Sequence, residues 1–335
     1  MIWNVRPFSM SDYEGLAELD AAVDADNASG VEEFRHTDET WDHDRYFKQR
    51  LLAVAEDGKV IGWGTVSHVA EQYHPDKYAL SLGVDPRFRR RGAGSALYDA
   101  SLATLRNRGA VAVRTEAKES IAAGIRFAEQ CGFLEMQREW ESMLDVAGFS
   151  EAPFAAAPEK AATAGIRFST LAAERKRDPE VLLAIYELYL VCNRDVPDID
   201  PITDVTFDYF LSQEVDGPGP LLDGFFLAKD GERFVGLSNL YKGERDSAVI
   251  HQGLTGVTPE YRGRGVATAL KLLTVDYAKR HGKREIRTWN NTLNKPMLRI
   301  NEAMGFQKEP VWIIFQKALI PGVRGEEMSA GIEEG

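Results

Sequence analysis

Two short apolar runs, Leu51-Leu52-Ala53-Val54-Ala55 and Val60-Ile61-Gly62-Trp63-Gly64-Thr65-Val66, flank the polar turn Glu56-Asp57-Gly58-Lys59. Runs of strand length around an Asp-Gly pair predict a β-hairpin. The same arrangement returns with apolar runs at 225–228 and 234–240 around Asp230-Gly231. Downstream of the first hairpin, Leu80, Leu82 and Val84 alternate with other residues, which predicts a strand over 78–84 that stops at Pro86, a residue with no N–H to give a ladder. From 94 to 108 the residues Leu97, Ala100, Leu102 and Leu105 recur at near-helical spacing, and Asn107-Arg108-Gly109 supplies a basic last turn and a glycine stop. A short buried strand over 111–113, a helix over 120–130 ending at Gly132 and a return strand over 140–146 complete the unit, while residues 1–7 read as a first strand. Strand, glycine loop, helix, strand, helix, strand describes an α/β unit with helices packed on a mixed sheet.

That unit occurs twice. The stretch from Val84 to Gly94 aligns with Val257 to Ala267 at an offset of 173, and the offset persists without a gap through Gly109 and Gly282, Arg114-Thr115 and Arg287-Thr288, and Gly132-Phe133 and Gly305-Phe306. A register kept across three element boundaries marks an internal duplication. The predicted organisation is an N-terminal domain over 1–146, a Pro/Ala-containing linker over 147–165 without a hydrophobic period, a C-terminal domain over 166–320 and a tail over 321–335 too poor in apolar residues to pack by itself.

Composition agrees with two ordinary domains: 335 residues, 44% hydrophobic and 27% charged, enough for two real cores. No apolar run approaches the roughly 18 residues of a membrane helix. The first residues lack a signal-peptide pattern, so the expected compartment is the cytoplasm. Cys131 and Cys192, in different predicted domains, read as buried thiols and not as a disulfide or metal framework. A net charge of −12 argues against nucleic acid as a partner and mildly favours cationic small molecules.

The chemistry lies at the two glycine loops. A strand that feeds a Gly-x-Gly turn and then a helix brings unsatisfied N–H groups and the positive end of the helix dipole to one point, an anion site. Arg89 and Arg91, and in the second copy Arg262 and Arg264, add positive charge. A dinucleotide fingerprint would stand on the first strand with a third glycine and a downstream acid, and a P-loop would carry Gly-Lys-Ser/Thr; neither pattern is present.

Arg89-x-x-Gly92-x-Gly94 and Arg262-x-x-Gly265-x-Ala267 resemble the Q/R-x-x-G-x-G/A motif of the GNAT superfamily of N-acetyltransferases, and the preceding Val-x-Pro, the following helix and the terminal Gly-Phe also fall where that family places them. Thr288-Trp289-Asn290-Asn291, Asn294, Met297, Ile300-Asn301 and Gly305-Phe306 look especially like bacterial tandem GNAT proteins of the mycothiol synthase type. The resemblance implies two tandem GNAT-like domains of α/β (α+β) class, each a mixed, mostly antiparallel twisted sheet flanked by helices. It implies acetyl-CoA as co-substrate and transfer of the acetyl group to a primary amine of a small molecule by direct attack on the thioester.

Carried over position by position, the backbone at Val257 would hold the acetyl carbonyl, the loop of Arg262, Gly263, Arg264, Gly265, Val266 and Ala267 the pyrophosphate, and Asn294 another part of the coenzyme. The first copy offers Val84, Arg89, Arg90, Arg91, Gly92, Ala93 and Gly94, but Ile121 stands where the second has Asn294, which weights the second copy as the active one. His251, on the strand leading into the second motif, is the first candidate for a general base and Glu116 the second; a strand histidine merely satisfied by its neighbours is the alternative. The tyrosine that in the family often protonates the leaving thiolate is Ala128 in one copy and Asn301 in the other. The acidic run 195–204 reads either as an attractor of the amine or as a solvated loop. A protein that binds an acyl-CoA without transferring from one or both halves is the competing reading.

Overall fold

A computed structural model of the chain describes residues 2–25, 28–243 and 246–320. In order come β1 (Trp3–Pro7), α1 (Tyr13–Val23), α2 (Val31–Glu39), β2 (Lys48–Ala55), β3 (Val60–Ser67), β4 (Lys77–Val84), α3 (Ala93–Asn107), β5 (Ala112–Lys118), α4 (Ala122–Gln130) and β6 (Leu134–Asp145). Then follow α5 (Ala156–Thr163), β7 (Ile166–Thr170), α6 (Leu171–Arg177), α7 (Leu182–Asn193), α8 (Phe207–Phe210), β8 (Phe226–Asp230), β9 (Arg233–Lys242), β10 (Val249–Val257), α9 (Val266–Arg280), β11 (Glu285–Asn291), α10 (Lys295–Met304), β12 (Gln307–Lys308) and β13 (Trp312–Ala318).

These elements form two compact units, but not the two contiguous ones that the repeat predicts. Among the described residues, those up to Arg138 group with those from Trp312 to Ile320, and those from Glu139 to Val311 form the other unit. Strand pairing supplies the reason. β13 lies antiparallel to β5, from Trp312 opposite Lys118 to Ala318 opposite Ala112. The second half of β6 lies antiparallel to β11, from Asp145 opposite Glu285 to Glu139 opposite Asn291. The boundary at 146 therefore shifts to 138, because a boundary read from repeat register cannot tell which sheet a terminal strand joins.

The first unit orders its strands β1-β2-β3-β4-β5-β13, antiparallel except for the parallel pair β4–β5. β2 is buried on both faces: Leu51, Ala53 and Ala55 pack with Ala93 and Leu97 of α3, whereas Leu52 and Val54 pack with Leu16 and Leu19 of α1. Such a strand reads as a continuous apolar run, not as an alternation. In the second unit the order is β7-β8-β9-β10-β11-β6, again with one parallel pair, β10–β11, and with β12 beside β6. α9 packs on one face of β9 and β10 and α7 packs on the same two strands. They take opposite faces: a Cβ built on Gly236 would meet Leu270 of α9, and one built on Gly256 would meet Cys192 of α7.

Other expectations are corrected in detail. The segment 147–165 is not a bare linker: α5 lies within it, and its Ala161, fully buried, joins the core of the second unit with Phe149 beside it. Alanine-rich sequence has high helix propensity without showing a hydrophobic period, so no periodic pattern marks this helix. β5 runs on well past 113, and β6 begins at Leu134, before the expected 140. Cys192 is buried, which pushes its thiol up to about 12, while Cys131 is only half-buried; both are free. The tail 321–335 lies outside the described residues.

Candidate functional site

In each unit the parallel pair of strands comes apart at one end. β10 and β11 are paired from Val249 opposite Glu285 to Gln252 opposite Thr288 and no further, although both strands continue. β4 and β5 part likewise after Ala79 and Arg114. Backbone groups facing such a gap have no ladder partner there, which opens a slot where an extended chain can lie.

The two slots differ in the strand that lines them. Along β9, Leu240 opposes Gln252 and Ser238 opposes Thr255, so Gly253 and Leu254 form a bulge paired with neither neighbouring strand. β4 keeps its register with β3 unbroken from Ala79 to Val84. A bulge re-aims a strand, and its extra residue is out of the ladder. In the first unit the ring of Trp63 lies across Gly83, where a Cβ would come within 2.1 Å of it, and so covers that part of β4.

The glycine loops begin where the strands end. Arg262 Nε donates to the Val257 carbonyl at 3.0 Å, and Arg89 Nε donates to the Val84 carbonyl at 2.9 Å. These two arginines therefore brace the loop against its own strand, and Arg262 also pairs with Asp195. The next arginines stack: Arg264 lies 4.8 Å from the Tyr261 ring centroid and Arg91 lies 5.7 Å from that of Phe88. Gly92 and Gly265 cap α3 and α9 in the left-handed conformation, with φ of 87° and 80°. Gly263 is left-handed as well (72°), and its counterpart Arg90 takes the same conformation at 61°, the one non-glycine residue with positive φ among those described. Left-handed backbone costs an ordinary residue about 1–2 kcal/mol. Beyond these caps, the amides of Gly265, Val266 and Ala267, and of Gly92, Ala93 and Gly94, belong to the first helical turns, which have no intrahelical acceptor.

Asn294 is the N-cap of α10, its Oδ1 accepting from Met297 N–H at 3.3 Å, while Ile121 at the matching end of α4 gives no side-chain cap. The difference legible in the sequence is thus first a difference in capping. His251 stands in the paired part of β10, opposite Tyr241 and Arg287, its ring edge-on to Trp289 with centroids 5.2 Å apart. Glu116 lies on β5 of the first unit beyond the point where β4 departs, opposite Ile314 of β13, and is exposed. Ala128 and Asn301 are both buried, and Asn301 donates to Asn290 Oδ1 at 2.6 Å, so no tyrosine hydroxyl is present at either position. Part of the acidic run is neutralised in place: Asp204 pairs with Arg194 and Asp195 with Arg262, and the Pro197 carbonyl accepts from Asn291 at the end of β11.

Three polar residues escaped the sequence reading. Glu214, on a π-helical turn over Leu211–Val215, accepts from Asn239 Nδ2 at 2.7 Å and from the Tyr241 hydroxyl, close to the bulge on the face opposite α9. π-turns are uncommon and recur at functional sites. No motif marks them.

Comparison with known proteins agrees with this geometry. A profile described as "Acetyltransferase (GNAT) family" matches residues 17–133 and again 182–306. A mycothiol acetyltransferase from Nocardiopsis dassonvillei is 28% identical over 77% of this chain and 78% of its own length. An uncharacterized N-acetyltransferase of Methanocaldococcus jannaschii is 34% identical over 97 residues, which span 41% of that protein. Among solved structures, a tandem GNAT protein from the clavulanic acid biosynthesis pathway superposes with a TM-score of 0.72 at 17% identity, over 96% of this chain and all of that one, a likeness of fold alone. No helix among the described residues is long and apolar enough to cross a membrane. With the profile matched twice and each match containing one strand gap and one glycine loop, the chain belongs to the acetyltransferase (GNAT) family and carries two copies of its fold.

Proposed function

We propose that the C-terminal unit binds acetyl-CoA and transfers its acetyl group to a primary amine of a small molecule by direct attack on the thioester. The observation that carries the proposal is the bulge at Gly253-Leu254, set where β10 leaves β11 and one short strand segment before the loop 262–267. In this reading the loop amides from Gly263 to Ala267 receive the pyrophosphate, the gap takes the pantetheine arm, and an unpaired amide near the bulge polarises the acetyl carbonyl, in place of the backbone at Val257, which is paired with Gly236 and whose carbonyl accepts from Arg262. One such donor is worth about 10²–10³ in rate.

The rest of the barrier falls to positioning and to a proton. Holding amine and thioester together contributes about 7–11 kcal/mol. An ammonium of pKa near about 10 costs roughly 4 kcal/mol to deprotonate at pH 7, a task assigned here to His251 directly or through water. The leaving thiol, with a pKa near about 8.5, departs without a dedicated acid, in keeping with Asn301 at the tyrosine position. The amine arrives on the face bearing Glu214, Asn239 and Tyr241. The Nocardiopsis dassonvillei relative is named a mycothiol acetyltransferase, which supports a small-molecule acceptor.

A specific set of observations favours a second role for the first unit: an unbulged β4, Trp63 across Gly83 and a helix without a polar cap suit a copy that holds coenzyme A or structure and does not transfer. The test is an assay of thiol release from acetyl-CoA over a panel of primary amines. Amine-dependent release supports the proposal, and tight acetyl-CoA binding with no amine-dependent release contradicts it.

A further inference from the structure

Directly behind the bulge, on the face that packs against α9, lies a buried polar network. Lys271 of α9 is 1% exposed and donates to Gln252 Oε1, with its ammonium group 4.9 Å from the Phe306 ring centroid. Gln252 Nε2 in turn donates to Ser238 Oγ at 2.9 Å and lies 3.3 Å from Thr255 Oγ1 and 3.4 Å from Thr274 Oγ1. Ser238 and Thr255 share a hydrogen bond of 2.8 Å, and the Thr274 hydroxyl donates to the Lys271 carbonyl at 2.7 Å. Gln252 and Thr255 are the residues on either side of the bulge, and Ser238 is the β9 residue opposite Thr255. The network therefore ties both ends of the bulge to the facing strand and to the helix.

The first unit provides the control within the same chain. Strand pairing sets Leu80, Leu82 and Gly64 where the second unit has Gln252, Thr255 and Ser238, and the repeat offset sets Tyr98 and Ser101 at Lys271 and Thr274. There the hub is apolar, the Ser101 hydroxyl has no partner, the Tyr98 hydroxyl donates instead to the Cys131 carbonyl, and the strand has no bulge. Network and bulge occur together in one copy and are absent together from the other. A buried lysine is costly, and nothing in packing requires one at a site that Tyr98 fills in the first copy.

We propose that Lys271 and Gln252 are positioning residues that hold the β10 bulge in the shape acetyl transfer requires. This rests on the reading of the second unit as the transferring half. Neither residue touches the reacting atoms; each acts through the backbone at Gly253 and Leu254.

Three variants test it. Gln252→Leu installs the first unit's residue, Lys271→Met removes the amine at similar volume, and Gln252→Glu keeps acceptors for Lys271 and for hydroxyls able to reverse their donation. The expected result is a kcat at least about 10-fold lower in Q252L and K271M with the acetyl-CoA Kd within about twofold of wild type, and kcat retained in Q252E, because an oxyanion donor moved out of line loses rate and not ground-state binding. Folded Q252L and K271M proteins with wild-type kcat would overturn the proposal, and so would equal losses of kcat and coenzyme affinity in all three. A crystal structure of Q252L separates this from the functional reading: the bulge is expected to be lost or displaced, and an unaltered bulge overturns the proposal even if wild type acetylates no amine tried. Absence of transfer by wild type, with the bulge lost in Q252L, refutes the functional reading alone.

Discussion

Arg262 donates through Nε to the carbonyl of Val257 at 3.0 Å, and 173 positions earlier Arg89 does the same to Val84 at 2.9 Å. The motif arginine therefore fixes the last strand residue to the first turn of the loop. A hydrogen bond from a charged donor contributes about 1.5–3 kcal/mol. Arg262→Ala is expected to weaken acetyl-CoA binding about 10-fold by calorimetry, since the loop amides lose their register with the strand. Arg262→Ala binding as tightly as wild type would show that the brace is not needed.

Lys271 is fully buried and desolvation lowers its pKa to about 7. The unfolded chain, with a lysine of ordinary pKa near about 10.4, binds more protons than the folded one between these values, so stability rises with pH across that window by up to about 1.4 kcal/mol per unit. Below the folded value both states are protonated and the full penalty remains. Lys271→Met is therefore expected to melt above wild type at pH 7 and below, with the gap closing as pH approaches 10. A gap that does not change with pH contradicts the buried amine as its cause.

Arg90 and Gly263 share one backbone conformation with unequal strain. Arg90→Gly is expected to raise stability by about 0.5–1 kcal/mol, the left-handed penalty less the extra freedom of glycine in the unfolded chain, and Gly263→Ala to lower it by about 1 kcal/mol. Paired denaturant melts measure both. Effects of the same sign would be inconsistent with this explanation.

Gly265 and Gly92 share left-handed backbone, but a Cβ at Gly265 would stand 2.9 Å from the Ala157 carbonyl oxygen of α5, whereas one at Gly92 would stand 3.6 Å from the Trp3 ring. Overpacking against backbone costs about 1–3 kcal/mol. Gly265→Ala is expected to destabilise more than Gly92→Ala by roughly that amount in thermal melts; equal losses would remove α5 from the account.

Much of this was legible in the sequence for physical reasons. Hairpins show as Asp-Gly between apolar runs, and Gly92 and Gly265 show because a left-handed cap selects glycine. The exchange of β6 and β13 was not legible, since both read simply as strands and pairing is non-local. Nor was the site behind the motif: Glu214, Asn239, Lys271 and Gln252 are separated in sequence, and only the fold brings them to one bulge. Arg262 belongs to the glycine loop by sequence alone, but its hydrogen bond to Val257 cannot be read from spacing.

The central claim, that the second unit is the one that transfers, is tested most directly by thiol release from acetyl-CoA in the presence of an amine acceptor. The comparison is among Gly263→Glu, Gly263→Arg and Arg90→Glu. A Cβ at Gly263 meets nothing within 4 Å, so Glu and Arg there carry the same backbone strain and differ in charge where the proposed function puts the coenzyme's phosphates. The account predicts release reduced at least about 100-fold in Gly263→Glu and largely kept in the other two. Release abolished by Arg90→Glu and kept by Gly263→Glu would contradict it.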